Sequence, residues 1–225
     1  MPQAVTPGLP PPNCPLCPRL AAFRDTNRDR YPQFHNGPVP PFGPPTARLL
    51  VVGLAPGLKG ANQTGRPFTG DYAGDLLYST LAAFGFSRGD YGASPDDGLA
   101  LNDCRIINAV RCVPPENKPT GAEVATCRRF LAAEIAAMPD LTAIVALGQV
   151  AHRAVIATFG LRQAAYPFGH GARHDLETRH IRLTDSYHCS RYNTNTGRLT
   201  TSMFHDVFAA VRRDLSGVPP VIDAR

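Results

Sequence analysis

Residues 49–77 read LLVVGLAPGLKGANQTGRPFTGDYAGDLL, and this stretch decides the fold. Leu49 to Val52 is a short apolar run with no polar alternation, the pattern of a strand covered on both faces, and Gly53 ends it. A glycine-rich loop follows, with Gly57, Gly60, Gly65 and Gly70 spaced along it, and then a helix begins. Glycine lets such a loop bring its N–H groups close to a ligand, which suits an anionic or planar guest. A triphosphate P-loop fails on spacing, because Lys59 comes late and has no hydroxyl neighbour. The loop offers instead an aromatic face, Phe68, beside a carboxylate, Asp71, with the amide of Asn62 nearby. Flat heteroaromatic ligands need those groups.

Outward from this unit the rhythm alternates. A helix is expected from about Gly74 to Phe84, a strand near Arg105 to Val110, and a helix from Gly121 to Met138. Ala143 to Leu147 reads as a strand, Gln149 to Phe159 as a helix, Ile181 to Tyr187 as a strand and Ser202 to Leu215 as the last helix. The pattern predicts an α/β fold of three α/β/α layers around a central, mainly parallel four-stranded sheet. One domain is expected over residues 13–215, with tails at 1–12 and 216–225. Proline-rich coil over 32–45 separates it from a short helix at Leu20 to Arg30, whose Arg24, Arg28 and Arg30, with Arg19, read as a solvated face or as phosphate contacts.

Polar motifs recur after each strand: the Gly53 loop, Arg111 to Asn117, Gly148-Gln149 and His188. All fall at carboxyl ends of strands, where open parallel sheets hold their ligands, so these distant residues are expected to meet in one pocket.

The chain has 225 residues, 43% hydrophobic content and a net charge of +5. That is enough to bury a core, and the charge is compatible with a polyanionic partner. No apolar run spans a membrane and no apolar signal segment opens the chain, which predicts a cytoplasmic protein. Six cysteines without a secretory signal then point to metal, cluster or catalytic use rather than disulfides. Cys14-Pro-Leu-Cys17 is a tight pair, Cys112 and Cys127 lie further on, and spacing alone leaves zinc and iron–sulfur open. Thr120 to Glu123 forms a capping box, and the helix it starts turns Cys127 inward with Val124, Leu131 and Ile135. An inward cysteine fits a ligand and an ordinary core residue equally.

GLAPGLKGANQTGRPFTGD, the early C-x-x-C, RCVPPENKPT, VALG, FGHGA and SYHCSRYNTNTGRLT together resemble the iron–sulfur branch of the uracil-DNA glycosylase superfamily, most closely its type B (family 5) members. The resemblance runs from Cys14 to about Leu215. Related type A enzymes carry Glu where this chain has Leu54, and other members carry Asp where it has Ala55, so the usual acid of that motif is missing.

The resemblance implies hydrolysis of the N-glycosidic bond of uracil in DNA, with hypoxanthine and etheno-adducts as further substrates. It implies that Asp71 orients or deprotonates the attacking water and that His188 stabilises the departing base. Phe68 is expected to stack on the extruded base and Asn117 to read its edge, with Gly53, Ala55 and Asn62 also at the base. Core packing for Phe68, a turn for Asn117 and helix capping for Asp71 are the plainer alternatives, although Asp75 looks better placed to cap. Arg191, Asn193 and Arg198 are expected on the DNA backbone, in a loop that is otherwise a solvated turn. Cys14, Cys17, Cys112 and Cys127 are implied to hold one structural 4Fe-4S cluster that ties down the N-terminal coil and helix. The implied protein is a monomer associated with the nucleoid. Where many relatives have proline between the His and Ser of the last motif, this chain has Cys189. A non-catalytic, metal-containing nucleic-acid-binding protein is the alternative, and it leaves Asp71 and His188 without purpose.

Overall fold

The computed structural model describes residues 8–177 and 179–217. In chain order the strands are β1 (Leu49–Gly53), β2 (Ser87–Arg88), β3 (Ala100–Leu101), β4 (Cys104–Asn108), β5 (Ala143–Leu147), β6 (Arg173–Leu176) and β7 (Ile181–Ser186). The helices are α1 (Pro18–Arg30), α2 (Ala61–Thr64), α3 (Tyr72–Ala83), α4 (Gly121–Ala136), α5 (Gln149–Thr158), α6 (Arg191–Asn195) and α7 (Thr201–Leu215).

The sheet has the order β4-β1-β5-β7-β6. Every residue of β1 and β5 is buried, as their unbroken apolar runs require for inner strands covered on both sides. One face packs Leu49, Val51, Ile106 and Val145 against Leu77 and Leu81 of α3 and Phe204 and Phe208 of α7. The other packs Leu50, Val52, Ile107 and Ile144 against Leu131 and Ile135 of α4 and Val155 of α5. These are the three expected layers.

The sheet has five strands rather than the expected four. β6 pairs antiparallel with β7 at the edge, while the other four strands run parallel. Its sequence, RHDL, has no apolar alternation because it is a half-exposed edge, and outward charges of this kind protect an edge from further pairing. β2 and β3 form a separate small hairpin.

Helix α3 begins at Tyr72, two residues before the expected start, and its cap is Asp71 rather than Asp75: Asp71 Oδ1 accepts from the Gly74 N–H at 3.3 Å. The capping box at α4 forms as read, with Thr120 Oγ1 accepting from Glu123 N at 3.2 Å and Glu123 accepting from Thr120 N at 2.8 Å.

The arginines around α1 are only in part a solvated face: Arg30 is exposed, but others are engaged with the body. Arg19 forks onto Glu123 at 2.8 and 2.7 Å and joins α1 to α4, while Arg24 is buried and donates to the Cys14 carbonyl. Of the expected tail at 1–12, Pro10 and Pro12 lie against the body, where the Pro12 carbonyl accepts from Arg28. Residues 1–7 and 218–225 lie outside the described residues.

Candidate active site

Register sets the site. Gly53 pairs with Asn108 and Leu147 with Ser186, so the carboxyl ends of β4, β1, β5 and β7 reach one edge of the sheet together. A cavity of about 550 Å³ opens there, a size suited to a small ligand. Asp71, from the loop after β1, and His188, from the end of β7, both line it. The two groups assigned opposite roles therefore share one chamber.

The Asp71 carboxylate is divided in its work. Oδ1 caps α3, while Oδ2 turns toward the loop backbone, where a methyl group on Gly60 would lie only 2.4 Å from it and one on Gly57 3.2 Å. Burial raises the Asp71 carboxyl above its ordinary value of 3.8, against the opposing pull of the Gly74 and Ala73 N–H groups. His188 is part-buried, and desolvation lowers its imidazole to about 4, so the ring is neutral at physiological pH. Among the described residues its side chain makes no hydrogen bond to protein, and its polar edge remains available to a ligand.

Phe68 lies beneath His188, with ring centroids 5.9 Å apart and planes 27° from parallel. It is almost fully buried and has a left-handed backbone, φ 54°, which costs a non-glycine residue on the order of 1 kcal/mol. Several contacts enforce this conformation. Tyr91 donates to the Phe68 carbonyl at 3.2 Å, and Gly74 is required because a Cβ there would stand 1.9 Å from that same oxygen. Arg66 next to it forks onto Asp97 at 2.7 Å in both bonds and donates through Nε to Thr69. That ion pair holds the Asp97 carboxyl well below the usual carboxylate range.

A strained aromatic beside a reactive pair signals function. Gly53 completes the reason: a Cβ there would meet Asn108 Oδ1 at 2.4 Å and Phe68 Cζ at 2.5 Å. Gly53 thus acts by leaving room, and it brings an amide to the aromatic ring. Asn108 Oδ1 is buried with no hydrogen-bond partner among the described residues. Sequence reasoning missed Asn108; the available signal was a single amide ending the buried run of β4 in register with Gly53.

Other expected residues divide. Ala55 lines the cavity, whereas Phe68 and Gly53, expected at the base, and Asn108 are not among its lining residues and sit behind His188. Asn117 also reaches it, but from an exposed left-handed turn (φ 56°) on the rim rather than from a buried position. Asn62 does not line it: its buried side chain donates to Asn36 Oδ1 at 3.0 Å and pins the proline-rich coil to α2. Arg191, Asn193 and Arg198 form part of the rim. Arg191 sits over the Tyr72 ring at 5.1 Å and Arg198 over Tyr187 at 4.6 Å, and neither has a carboxylate partner among the described residues. Asn193 instead donates to the His188 carbonyl at 2.8 Å and fixes α6 to the strand end. Tyr192 on α6 is 73% exposed at the cavity mouth, another residue the sequence did not single out.

Behind the sheet edge a second, much smaller cavity gathers Cys14, Cys17, Cys112 and Cys127 among Leu20, Val110 and Phe130. Burial pushes the Cys112 and Cys127 thiols up to about 12 and about 11, and a bound metal centre is the kind of partner that draws such buried thiols into the thiolate form. Four cysteines lining one small, largely apolar pocket fit a metal cluster as donor set and as environment. Cys104 and Cys189 lie elsewhere, both buried in the core.

A sequence profile described as the Uracil DNA glycosylase superfamily matches residues 40–213. A type-5 uracil-DNA glycosylase of Thermus thermophilus is 47% identical over 206 residues, covering 89% of this chain and 93% of the relative. The type-5 uracil-DNA glycosylase of Pyrobaculum aerophilum is 40% identical, covering 90% and 89%. A type-4 enzyme from the same organism is 32% identical over a shorter region, 60% of this chain. The chain belongs to the uracil-DNA glycosylase superfamily.

Proposed function

We propose that the protein is a DNA repair enzyme, a monofunctional uracil-DNA glycosylase that hydrolyses the N-glycosidic bond of uracil. The observation that carries this reading is the single cavity lined by both Asp71 and His188 above the strained ring of Phe68.

The target bond lies inside a duplex, so the nucleotide must leave the stack, at a cost of roughly a few kcal/mol. Tyr192, exposed at the mouth, is placed to fill the gap, and Arg191 and Arg198 to hold phosphates on either side. Phe68 supplies the stacking face. Its separation from His188 is that of two rings in direct contact, so the base reaches that face as the unbonded imidazole turns aside. Asn117, which lines the cavity, reads the base edge, its Oδ1 accepting from an imide N–H and its Nδ2 donating to the adjacent carbonyl.

Cleavage leaves positive charge on the sugar and negative charge on the base. Asp71 meets the first, with Oδ2 free to orient the attacking water and to favour the oxocarbenium-like sugar. Neutral His188 meets the second by donating an N–H to the base oxygen that becomes anionic. With Leu54 and Ala55 where relatives place acids, the cavity also admits hypoxanthine and etheno-adducts.

Cys14, Cys17, Cys112 and Cys127 would hold a 4Fe-4S cluster, which supplies a covalent staple and no step of the hydrolysis. It joins the start of α1 to the β4 loop and α4. The proposed enzyme acts as a monomer, and cytoplasmic nucleoid DNA is where such a substrate and reduced cysteines occur together.

The test is incubation with a uracil-containing oligonucleotide followed by alkali. Strand scission is expected with the wild type and not with Asp71→Ala or His188→Ala. DNA binding without scission by the wild type would leave only a non-catalytic binding protein.

A further inference from the structure

Among the described residues Arg111 is the largest fully buried side chain, at 1% exposure, and it has no anionic hydrogen-bond partner there. Its Nε donates to the Val39 carbonyl at 2.8 Å, but Nη1 and Nη2 meet no acceptor among the described residues. Glu134, the nearest carboxylate on α4, is engaged by Arg105. A buried guanidinium without a counter-charge is strongly unfavourable, so such groups are normally paired. Arg24 repeats the pattern in part, with its carboxylate neighbour at the solvent-exposed end. It is 5% exposed, spends one N–H on the Cys14 carbonyl at 2.9 Å, and keeps Nε without a hydrogen bond, 3.5 Å from the exposed Asp25.

Both arginines adjoin the four-cysteine cavity, Arg111 as part of its lining and Arg24 through the Cys14 backbone. Arg111 lines it, and its own backbone N–H donates to Cys127 Sγ at 3.3 Å. Arg24 is tied to the same four cysteines through the Cys14 carbonyl, to which its Nη1 donates. Four thiolates outweigh the positive charge of an iron–sulfur core, so a cluster held by them is a net anion in an apolar setting. Its potential is set by net charge and by the groups around the sulfurs.

We infer that Arg24 and Arg111 are the counter-charges of the four-cysteine cluster, and that they hold it at its resting oxidation level and protect it from oxidative loss. This rests on the cluster reading above. The missing anion for the buried Arg111 and the missing cation for a buried anion are then the same interaction, with Arg24 as a second, partly compensated charge. Removing one positive charge disfavours the more negative, reduced state of the cluster and makes loss of an electron easier.

The test compares wild type, Arg111→Gln and Arg111→Lys for iron and sulfide content, midpoint potential, and the rate at which ferricyanide bleaches the visible absorbance. Arg111→Gln is expected to shift the reduced-to-oxidised ratio at least tenfold toward the oxidised form, about 59 mV for one electron, and to bleach at least tenfold faster. Arg111→Lys keeps the charge and is expected to restore most of both values, which repair of packing alone would not do. Should Arg111→Gln fail to fold, Arg24→Gln carries the same expectation. Wild type without iron and sulfide would remove the cluster reading and this inference together. A loaded wild type with unchanged potential and bleaching in the Gln variants would overturn this inference alone.

Discussion

The Cys189 thiol donates to the Ala73 carbonyl at 3.4 Å, which ties the end of β7, where His188 sits, to the start of α3, where Asp71 sits. Cys189 is fully buried, and burial raises its thiol far above the ordinary value of 9.0, so it stays a neutral donor. This explains how a cysteine serves where many relatives have proline: it fills the space and bonds across it. Cys189→Ala is expected to cost about 1 kcal/mol of stability and to slow single-turnover excision several-fold at unchanged DNA affinity. Thermal melting and quench-flow measurements check both. Identical rates would show that this tie does not set the distance between the two groups.

Gly60 exists for the sake of Asp71. The methyl group of Gly60→Ala would lie 2.4 Å from Oδ2 and must push the carboxylate out of place. A displacement of about 1 Å at a reacting group costs on the order of 10²-fold in rate. The variant is expected to bind uracil-containing DNA as wild type does and to excise slowly, which binding and single-turnover assays on one preparation separate.

Protonation gives a profile with a worked sign. Asp71 acts as a carboxylate, and burial raises it above 3.8, so excision is expected to fall on acidification before an ordinary aspartate would titrate. His188 is held at about 4 in the native state against 6.5 when unfolded. Between those values the unfolded chain binds the extra proton, so His188 subtracts stability progressively as pH falls from 6.5 to about 4. His188→Asn is expected to flatten that part of the stability curve, as read by denaturant melts at several pH values. An unchanged slope would show that the imidazole is not desolvated.

Much of the fold could be read in the sequence, because β1 and β5 are buried runs and Thr120 and Glu123 cap α4 by local chemistry. β6 could not, since RHDL carries edge charges in place of a pattern. The site was partly legible for a similar reason. Asp71, His188 and Phe68 fall next to glycines and strand ends that mark them, whereas Asn108 becomes visible only once β4 is set against β1 and its amide meets Gly53. Asn62, in the same glycine-rich loop as Asp71, turns away because α2 directs it to Asn36. Short helices of this kind, α2 and α6, leave too few residues for a periodic signal.

The cysteines should behave as one unit. Cys112→Ala is expected to lose visible absorbance, bound iron and several degrees of melting temperature together, because in the proposed cluster its thiol would join the β4 loop to α1 and α4. Metal analysis and melting of the same sample provide the check. A colourless variant with full stability and activity would contradict the stapling role.

The account turns on the Asp71 carboxylate, and Asp71→Asn isolates it. Asparagine caps a helix as well as aspartate and avoids the burial cost of the charge, so the variant is expected to melt at or above the wild-type temperature. Its single-turnover release of uracil is expected to fall by at least 10²-fold with DNA affinity retained. Release at the wild-type rate would contradict the assignment of the carboxylate, and with it the division of charge between Asp71 and His188.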